Sequence, residues 1–270
     1  RNISRMLSGT INHEIEFGGP AWKTVPADLT LEQLVAFDLP LVVAGGPNPL
    51  PTLVVEAMAG SAHLITQLCR LGFTGRAFEK HPDSPKEILP EGDLGRLENQ
   101  TEIGELIVSG GVFCVHLSPD CSSFIIMNIN FNNGTRTSSL PQGNNTLERE
   151  IEGNFCFGLA LWIVWLCLRH GAFFTLEHPR GSRAWLLALI LFMLTLPGIF
   201  KVNYDSCAWA LRPSDWSPLG GDVRTNGPGV IITNLPTMES LRLRCVDVEK
   251  HRHEVSIGTS ATGSLRTKDK

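Results

Sequence analysis

Three short segments carry the residue types that suit chemistry, and each follows an apolar run. Residues 56–62 combine Glu56 with small residues, which let a main chain approach a ligand closely. Residues 118–124 contain Cys121, a nucleophile wherever its thiolate is favoured. Residues 177–182 begin with Glu177, a carboxylate able to protonate or hydrogen-bond a substrate ring. Each segment also has a structural interpretation: a tight turn, a small core cysteine and a helix-capping acid.

Strand and helix patterns position the first segment. Residues 53–58 predict a buried strand, residues 63–71 a helix that ends before Gly72, and residues 75–79 a second strand. Together they predict a right-handed βαβ unit. Glu79 follows Gly60 by 19 positions, about where an acid hydrogen-bonds the hydroxyls of a nucleotide ribose.

The rest of the chain continues to alternate strands and helices. The patterns predict strands at residues 111–117, 172–177, 229–233 and 255–258. They predict helices at residues 155–169 and 184–196, and a long loop at residues 128–145. This alternation predicts an α/β fold with a mostly parallel sheet and helices on both faces. Ligands bind beyond the carboxyl ends of such strands, so we expect the three segments to share one sheet edge.

Composition and pattern also divide the chain. We expect an N-terminal arm over residues 1–50, an α/β core over 51–200, a small C-terminal β-rich lobe over 201–258 and a disordered tail over 259–270. With 270 residues and 43% hydrophobic residues, the chain is long and apolar enough to exclude intrinsic disorder. A net charge of −4 gives no general basic field, so DNA contact would need a local patch.

The cysteines favour a reducing compartment. The chain has seven scattered cysteines and no Cys-x-x-Cys pair, which predicts free thiols and an intracellular location, nuclear or cytoplasmic. Cys207, Cys245, His251 and His253 could bind zinc tetrahedrally. However, the long gap between the cysteines and the His-x-His spacing do not match a zinc finger. Buried thiols and ordinary surface histidines, with no metal, are the favoured interpretation.

Two uncharged runs raise the question of a membrane. Residues 153–168 and 184–200 both fall just short of the roughly 18–20 apolar residues that a spanning helix needs. Buried core helices are therefore the favoured interpretation. A membrane-associated protein with two short spans remains the alternative.

The loops resemble a known arrangement. The βαβ unit with Glu56, Gly60 and Glu79 is similar to the cofactor half of class I S-adenosylmethionine-dependent methyltransferases. Pro119-Asp120-Cys121 and Glu177-His178-Pro179 resemble the Pro-Pro-Cys and Glu-Asn-Val loops of cytosine-5 DNA methyltransferases. The chain resembles divergent methyltransferase-like proteins of algae and dinoflagellates more closely still, through Cys121-Ser122-Ser123-Phe124, Arg136-Thr137, Pro141-Gln142-Gly143, Gly153-Asn154 and residues 176–182.

The resemblance implies a Rossmann-like methyltransferase fold, an S-adenosylmethionine cofactor and DNA as the partner. Cys121 would add to C6 of a cytosine flipped out of its stack, and Glu177 would bind N3 and the exocyclic amine. Glu79 would bind the cofactor ribose and Asp93 the adenine amine. The implied cofactor-binding residues are Glu56, Ala59, Gly60, Ser61, Glu79, Asp93, Ser118 and Pro119.

Three positions depart from the family pattern. Ala62 stands where a second glycine is expected, Asp120 replaces the proline before the cysteine, and His178 replaces the asparagine after the glutamate. A carboxylate beside Cys121 is expected to raise the pKa of its thiol. A catalytically inactive binding module of the same fold is therefore one alternative. A methyltransferase that acts on protein, RNA or a small molecule is another.

Overall fold

A computed structural model describes residues 51–60, 62–79, 92–131, 133–211, 222–245 and 251–255. The expected N-terminal arm, the expected disordered tail and Ser61 lie outside these residues. In the part described, eight strands form two sheets: β1 (Leu53–Ala57), β2 (Thr74–Phe78), β3 (Val112–Leu117), β4 (Phe173–Pro179), β5 (Phe200–Asp205), β6 (Val223–Asn226), β7 (Pro228–Thr233) and β8 (Arg252–Val255).

The main sheet has six strands in the order β2–β1–β3–β4–β7–β5. Strand β1 pairs in parallel with β2 and β3, and β3 pairs in parallel with β4. The sheet is therefore mostly parallel, as expected, but it is also mixed, because strand β7 is antiparallel to both β4 and β5. The sequence pattern missed this because a buried apolar run looks the same in either strand direction. Strands β6 and β8 form a separate parallel pair.

Five α-helices accompany the strands in the described residues: α1 (His63–Arg70), α2 (Leu97–Val108), α3 (Ile126–Phe131), α4 (Glu148–His170) and α5 (Ala188–Met193). Two expectations are wrong. Helix α3 occupies the start of the expected loop at 128–145, and the expected helix at 184–196 is a 3₁₀ turn (Arg183–Leu186) followed by the six-residue α5. Leu187 has extended backbone angles (φ −60°, ψ 136°), which interrupts the helix between them.

Helices cover both faces of the sheet. Ile65 and Cys69 of α1 lie where a Cβ on Gly75 would project, so α1 covers the face that carries Gly75. On the other face, the ring of Phe157 in α4 contacts the ring of His178 in β4 at 5.0 Å between centroids. Buried residues of α2 and α4 complete the main core with residues of β1, β3 and β4 on that second face.

Helix α4 is central to the core and is longer than expected. It begins at Glu148 because two acidic residues in its first turn suit the positive end of the helix dipole. It is the one helix in the described part that is long and apolar enough to cross a membrane, by length and composition alone. Its apolar window is 56% buried against the rest of the chain, as in the core helix of a globular domain.

Candidate functional site

The strand order creates a crevice at one end of the sheet. The chain leaves β1 towards β2 on one side, whereas it leaves β3 towards β4 on the other. The connections diverge at the carboxyl ends of β1 and β3, and such switch points are where open α/β sheets bind ligands. Residues 58–62 and 118–125 leave the two strands there. Two of the three segments chosen from the sequence therefore flank the crevice.

The loop after β1 has a constrained backbone. Met58, Gly60 and Ala62 have φ values of 60°, 54° and 52°, in the left-handed region that non-glycine residues rarely adopt. Such strain costs roughly 1–3 kcal/mol per residue and concentrates at ligand-binding sites. The N–H of Ala59 donates to the Phe78 carbonyl oxygen at 3.0 Å and so fixes the loop beside β2. Among the described residues, no atom lies within 4 Å of a Cβ built on Gly60, so this part of the loop is open with respect to them.

Three carboxylates lie around this loop. Glu56 is 6% exposed, and its Oε2 accepts the Ile65 N–H at 2.8 Å in the first turn of α1. Burial raises the pKa of Glu56. The Ile65 hydrogen bond and the His63 charge offset part of that rise, and the Glu79 charge adds a smaller one. The Glu79 carboxylate accepts the N–H of Gly60, and Asp93 forms a β-bridge beside Glu79. This negative environment disfavours a pyrophosphate and suits a ligand with positive charge, hydroxyls and an amine.

Ser118 connects the crevice to the third segment. Its N–H donates to the Ala57 carbonyl oxygen at 3.4 Å, and its hydroxyl donates to Oε2 of Glu177 at 3.2 Å. Cys121 lies three residues further along the same loop and is partly exposed. The Asp120 carboxylate accepts hydrogen bonds from the N–H and the hydroxyl of Ser122, which shapes the turn around Cys121.

Tyr204 is a site residue that the sequence did not identify. Its hydroxyl donates to Oε1 of Glu177 at 3.1 Å. Burial, together with the Glu177 charge, raises the pKa of Tyr204, so the phenol keeps its proton and remains a donor. Gly229 lies directly opposite on β7, and a Cβ there would overlap the Tyr204 ring. The one available signal was weak: Tyr204 is the only tyrosine in the chain.

His178 packs beneath the Cys121 loop as a neutral side chain. It is fully buried, and its ring lies 5.9 Å from Phe124, 5.0 Å from Phe157 and 5.8 Å from Trp185 between centroids. Neither ring nitrogen makes a hydrogen bond within the described structure, although the main chain of Pro119 and Asp120 lies nearby. Burial lowers the pKa of His178 to about 3. The histidine therefore supports the loop and carries no charge at neutral pH.

A buried arginine fixes the same loop from the other side. The Arg136 guanidinium lies 3.5 Å from the Phe124 ring centroid, a cation–π arrangement. It donates four hydrogen bonds, to the carbonyl oxygens of Pro141 (2.8 Å) and Glu150 (2.9 Å), to Asn154 Oδ1 (2.8 Å) and to Ser123 Oγ (3.0 Å). Burial lowers the pKa of Arg136 to about 10, which leaves it charged at neutral pH. The motifs behind the family resemblance thus contribute to one network, made by Ser123, Phe124, Arg136, Pro141 and Asn154. This network positions the loop at residues 118–125, which contains Cys121.

The residues assigned from the sequence form two neighbouring groups. One surrounds the β1 loop and contains Glu56, Ala59, Gly60, Glu79 and Asp93. In the other, Ser118 bonds to Glu177, and Pro119 and Cys121 follow Ser118 along its loop. Ser61 lies outside the described residues. No protein-family model matches the chain, and no curated protein matches it. The chemistry of these two groups is therefore the basis for a function.

Proposed function

We propose that this chain is an S-adenosylmethionine-dependent methyltransferase of Rossmann-like fold that acts on C5 of cytosine in DNA. The observation that carries the proposal is the position of Ser118. Its main chain bonds to the end of β1 and its side chain bonds to Glu177 on β4. A cofactor beside the β1 loop and a base beside Glu177 would therefore occupy neighbouring parts of one crevice.

The topology supports the Rossmann-like part of the proposal. The β1–α1–β2 unit begins the sheet, and the strand order reverses between β1 and β3, as expected for a nucleotide-binding switch point. The antiparallel β7 lies beyond β4, so it leaves that switch point unchanged.

The residues of the β1 loop fit the proposed cofactor. S-adenosylmethionine carries a sulfonium, an ammonium, ribose hydroxyls and an adenine amine, and it supplies the methyl group when bound. Glu79 would accept hydrogen bonds from the ribose hydroxyls, and Asp93 would accept one from the adenine amine. The negative charges of Glu56 and Glu79 would attract the cationic groups. The open space beyond Gly60 is room that a ligand can occupy.

The second group fits a cytosine. The Cys121 thiolate would add to C6 and open the C5–C6 double bond, and C5 would then take the methyl group, which leaves S-adenosylhomocysteine. Loss of the C5 proton to a base would restore the double bond and release the thiolate. Glu177 in its protonated form would donate to N3 and accept from the exocyclic amine. Ser118 and Tyr204 each donate to one oxygen of Glu177, so they hold the carboxylate in one orientation. The base must leave its stack to reach these groups, at a cost of about a few kcal/mol.

A covalent trap tests the nucleophile and the acceptor together. Single-stranded and duplex DNA containing 5-fluorocytosine are incubated with the chain and S-adenosylmethionine, because fluorine at C5 prevents release of the base from Cys121. We expect a denaturation-resistant adduct with the wild type and none with Cys121→Ala. Cys69→Ser, which changes an exposed cysteine of α1, is the matched control and should still form the adduct.

Two outcomes would overturn parts of the proposal. Cofactor binding without an adduct or methyl transfer to DNA would identify a non-catalytic binding module. Transfer of labelled methyl to RNA or protein but not to DNA would retain the reaction and replace the acceptor.

A further inference from the structure

Four metal-ligand side chains meet in the C-terminal part of the chain. Cys207 lies in the 3₁₀ turn Ser206–Trp209, and Cys245 follows the 3₁₀ turn Pro236–Leu241. His251 directly precedes β8, and His253 is the second residue of that strand. The ligand atoms of all four residues lie within 4.8 Å of one another. The favoured interpretation of the sequence makes these residues buried thiols and ordinary surface histidines, but His251 is in fact buried.

The distances between these atoms match a tetrahedral site. Sγ of Cys245 lies 3.5 Å from Nε2 of His251 and 3.3 Å from Nε2 of His253. The two Nε2 atoms lie 2.9 Å apart. Zinc bonds of about 2.3 Å to sulfur and about 2.0–2.1 Å to nitrogen give tetrahedral edges of about 3.6 Å for S···N and about 3.3 Å for N···N. The four side chains therefore need only small movements to close around one ion.

Neighbouring residues hold two of the four ligands in place. The N–H of Cys245 donates to Oδ2 of Asp205 at 3.0 Å, and Arg224 donates to the Cys207 carbonyl oxygen at 3.0 Å. Arg224 also pairs with Asp222 at 2.8 Å and lies opposite His253 in the β6–β8 register. Such outer contacts are the kind that orient metal ligands in known sites.

We propose that Cys207, Cys245, His251 and His253 bind one Zn²⁺ ion as a structural site. Two thiolates and two imidazoles in tetrahedral geometry suit zinc better than magnesium or calcium, which prefer oxygen ligands. Four protein ligands leave no open coordination position, which separates this site from a catalytic zinc. The ion joins the segment after β5, the segment after β7 and strand β8.

The site also lies next to the residues that hold Glu177. Asp205, which accepts the Cys245 N–H, directly follows Tyr204 in β5. Arg180 pairs with Asp205 and donates to the Tyr204 carbonyl oxygen at 2.8 Å. Zinc would therefore stabilise the end of β5 from which Tyr204 reaches Glu177.

Metal analysis of the purified full chain tests the proposal without any activity assay. We expect about one equivalent of zinc per chain, and Co²⁺ exchanged for it should give the intense visible absorption of tetrahedral cobalt with thiolate ligands. His253→Ala should lose most of the metal. His253→Cys should keep it, because a third thiolate replaces the imidazole, and should strengthen the thiolate-to-cobalt band. His63→Ala and Cys69→Ser change exposed residues of α1 and should leave both measurements unchanged.

The proposal would be overturned by a folded wild-type chain that takes up less than about a tenth of an equivalent after incubation with zinc under reducing conditions. A Cys207–Cys245 disulfide that persists under the same conditions would overturn it as well. Equal zinc contents in the wild type and His253→Ala would also contradict it, because the metal would then lie elsewhere. The wild-type cobalt spectrum and His253→Cys keep the test decisive even if His253→Ala does not fold.

Discussion

The hydroxyl of Tyr204 donates a 3.1 Å hydrogen bond to Oε1 of Glu177, across the 27 residues that separate them in the chain. The other oxygen, Oε2, accepts from Ser118 at 3.2 Å. Strands β5 and β4 are not neighbours, since β7 lies between them, so the Tyr204 ring passes over β7 to reach the carboxylate. This passage requires Gly229, because a side chain there would occupy the space of the ring.

Tyr204→Phe should weaken the orientation of Glu177 and leave the fold intact. A hydrogen bond to a charged group contributes about 1.5–3 kcal/mol, so we expect kcat/KM for DNA methylation to fall about ten- to hundred-fold. The affinity for S-adenosylmethionine should stay within about twofold, since Tyr204 bonds to Glu177 and not to the β1 loop. Steady-state kinetics and cofactor titration measure the two quantities. Wild-type kinetics in this variant would remove Tyr204 from the site.

Gly229→Ala should have a similar effect on activity through packing. The added Cβ would overlap the Tyr204 ring and push the hydroxyl away from Glu177. We expect a destabilisation of about 1–3 kcal/mol in urea unfolding together with the loss of kcat/KM. Gly181→Ala is the matched control, because a Cβ on that exposed glycine meets nothing within 4 Å in the part of the chain that the structure describes. Equal stability of the two variants would contradict the close contact between Tyr204 and Gly229.

The sequence predicted the local elements better than their assembly. Local apolar patterns and a helix-ending glycine were enough to predict three elements. These are the buried strand that contains Glu56, the helix that ends near Gly72 and the strand before Glu79. The direction of β7 could not be predicted, because it depends on pairing with distant strands. The contact of Tyr204 with Glu177 could not be predicted either, because it depends on the same pairing of distant strands. The break at Leu187 was missed because every residue around it suits a helix.

The same distinction applies to the metal ligands. Cys207, Cys245, His251 and His253 were noticed for their chemistry but rejected for their spacing. Spacing rules apply to ligands within one compact motif. Here separate segments contribute the ligands: the turn after β5, the segment after β7 and strand β8. Only the folded chain brings them together.

The buried His178 predicts a loss of stability in acid. Its pKa is about 3 in the folded chain and near 6.5 when exposed, so between these values the unfolded chain binds more protons. Stability should therefore fall as the pH drops below about 6.5, and His178 should account for a loss on the order of 3 kcal/mol by pH 4.

His178→Leu removes this contribution at similar side-chain volume. Urea unfolding between pH 4 and pH 7 should show a flatter stability profile than that of the wild type, since an apolar side chain has no proton to bind. His63→Leu, at an exposed position, should keep the wild-type profile. Parallel profiles for the wild type and His178→Leu would mean that the pKa of His178 is the same in the folded and unfolded chains, and would contradict its burial as a neutral side chain.

Arg136→Lys should be strongly destabilising despite the unchanged charge. An ammonium cannot reach the four acceptors that the guanidinium joins, and it leaves buried oxygens of Pro141, Glu150 and Asn154 without a donor. We expect a loss of about 3–5 kcal/mol in urea unfolding, with faster proteolysis of the Cys121 loop. Arg70→Lys, on the exposed surface of α1, should change stability by less than about 0.5 kcal/mol. Similar values for the two variants would exclude the network around Arg136.

Binding of S-adenosylmethionine at the β1 loop is the central claim, and calorimetric titration of the full chain tests it most directly. S-adenosylmethionine and S-adenosylhomocysteine are titrated into the wild type, Gly60→Asp and Gly72→Asp. Both glycines have positive φ (54° and 94°), and no described atom lies within 4 Å of a Cβ built on either, so both substitutions act through backbone strain without a steric clash against the described residues. Gly60 borders the crevice at the carboxyl ends of the strands, whereas Gly72 precedes β2 and so lies at the amino ends of the strands.

The proposal predicts dissociation constants in about the micromolar range for the wild type and Gly72→Asp, and at least about a hundredfold weaker binding for Gly60→Asp, because the new carboxylate side chain would fill the space meant for the cofactor. A folded wild-type chain that binds neither ligand at millimolar concentration would contradict it. Equal binding by Gly60→Asp and Gly72→Asp would contradict the location of the site.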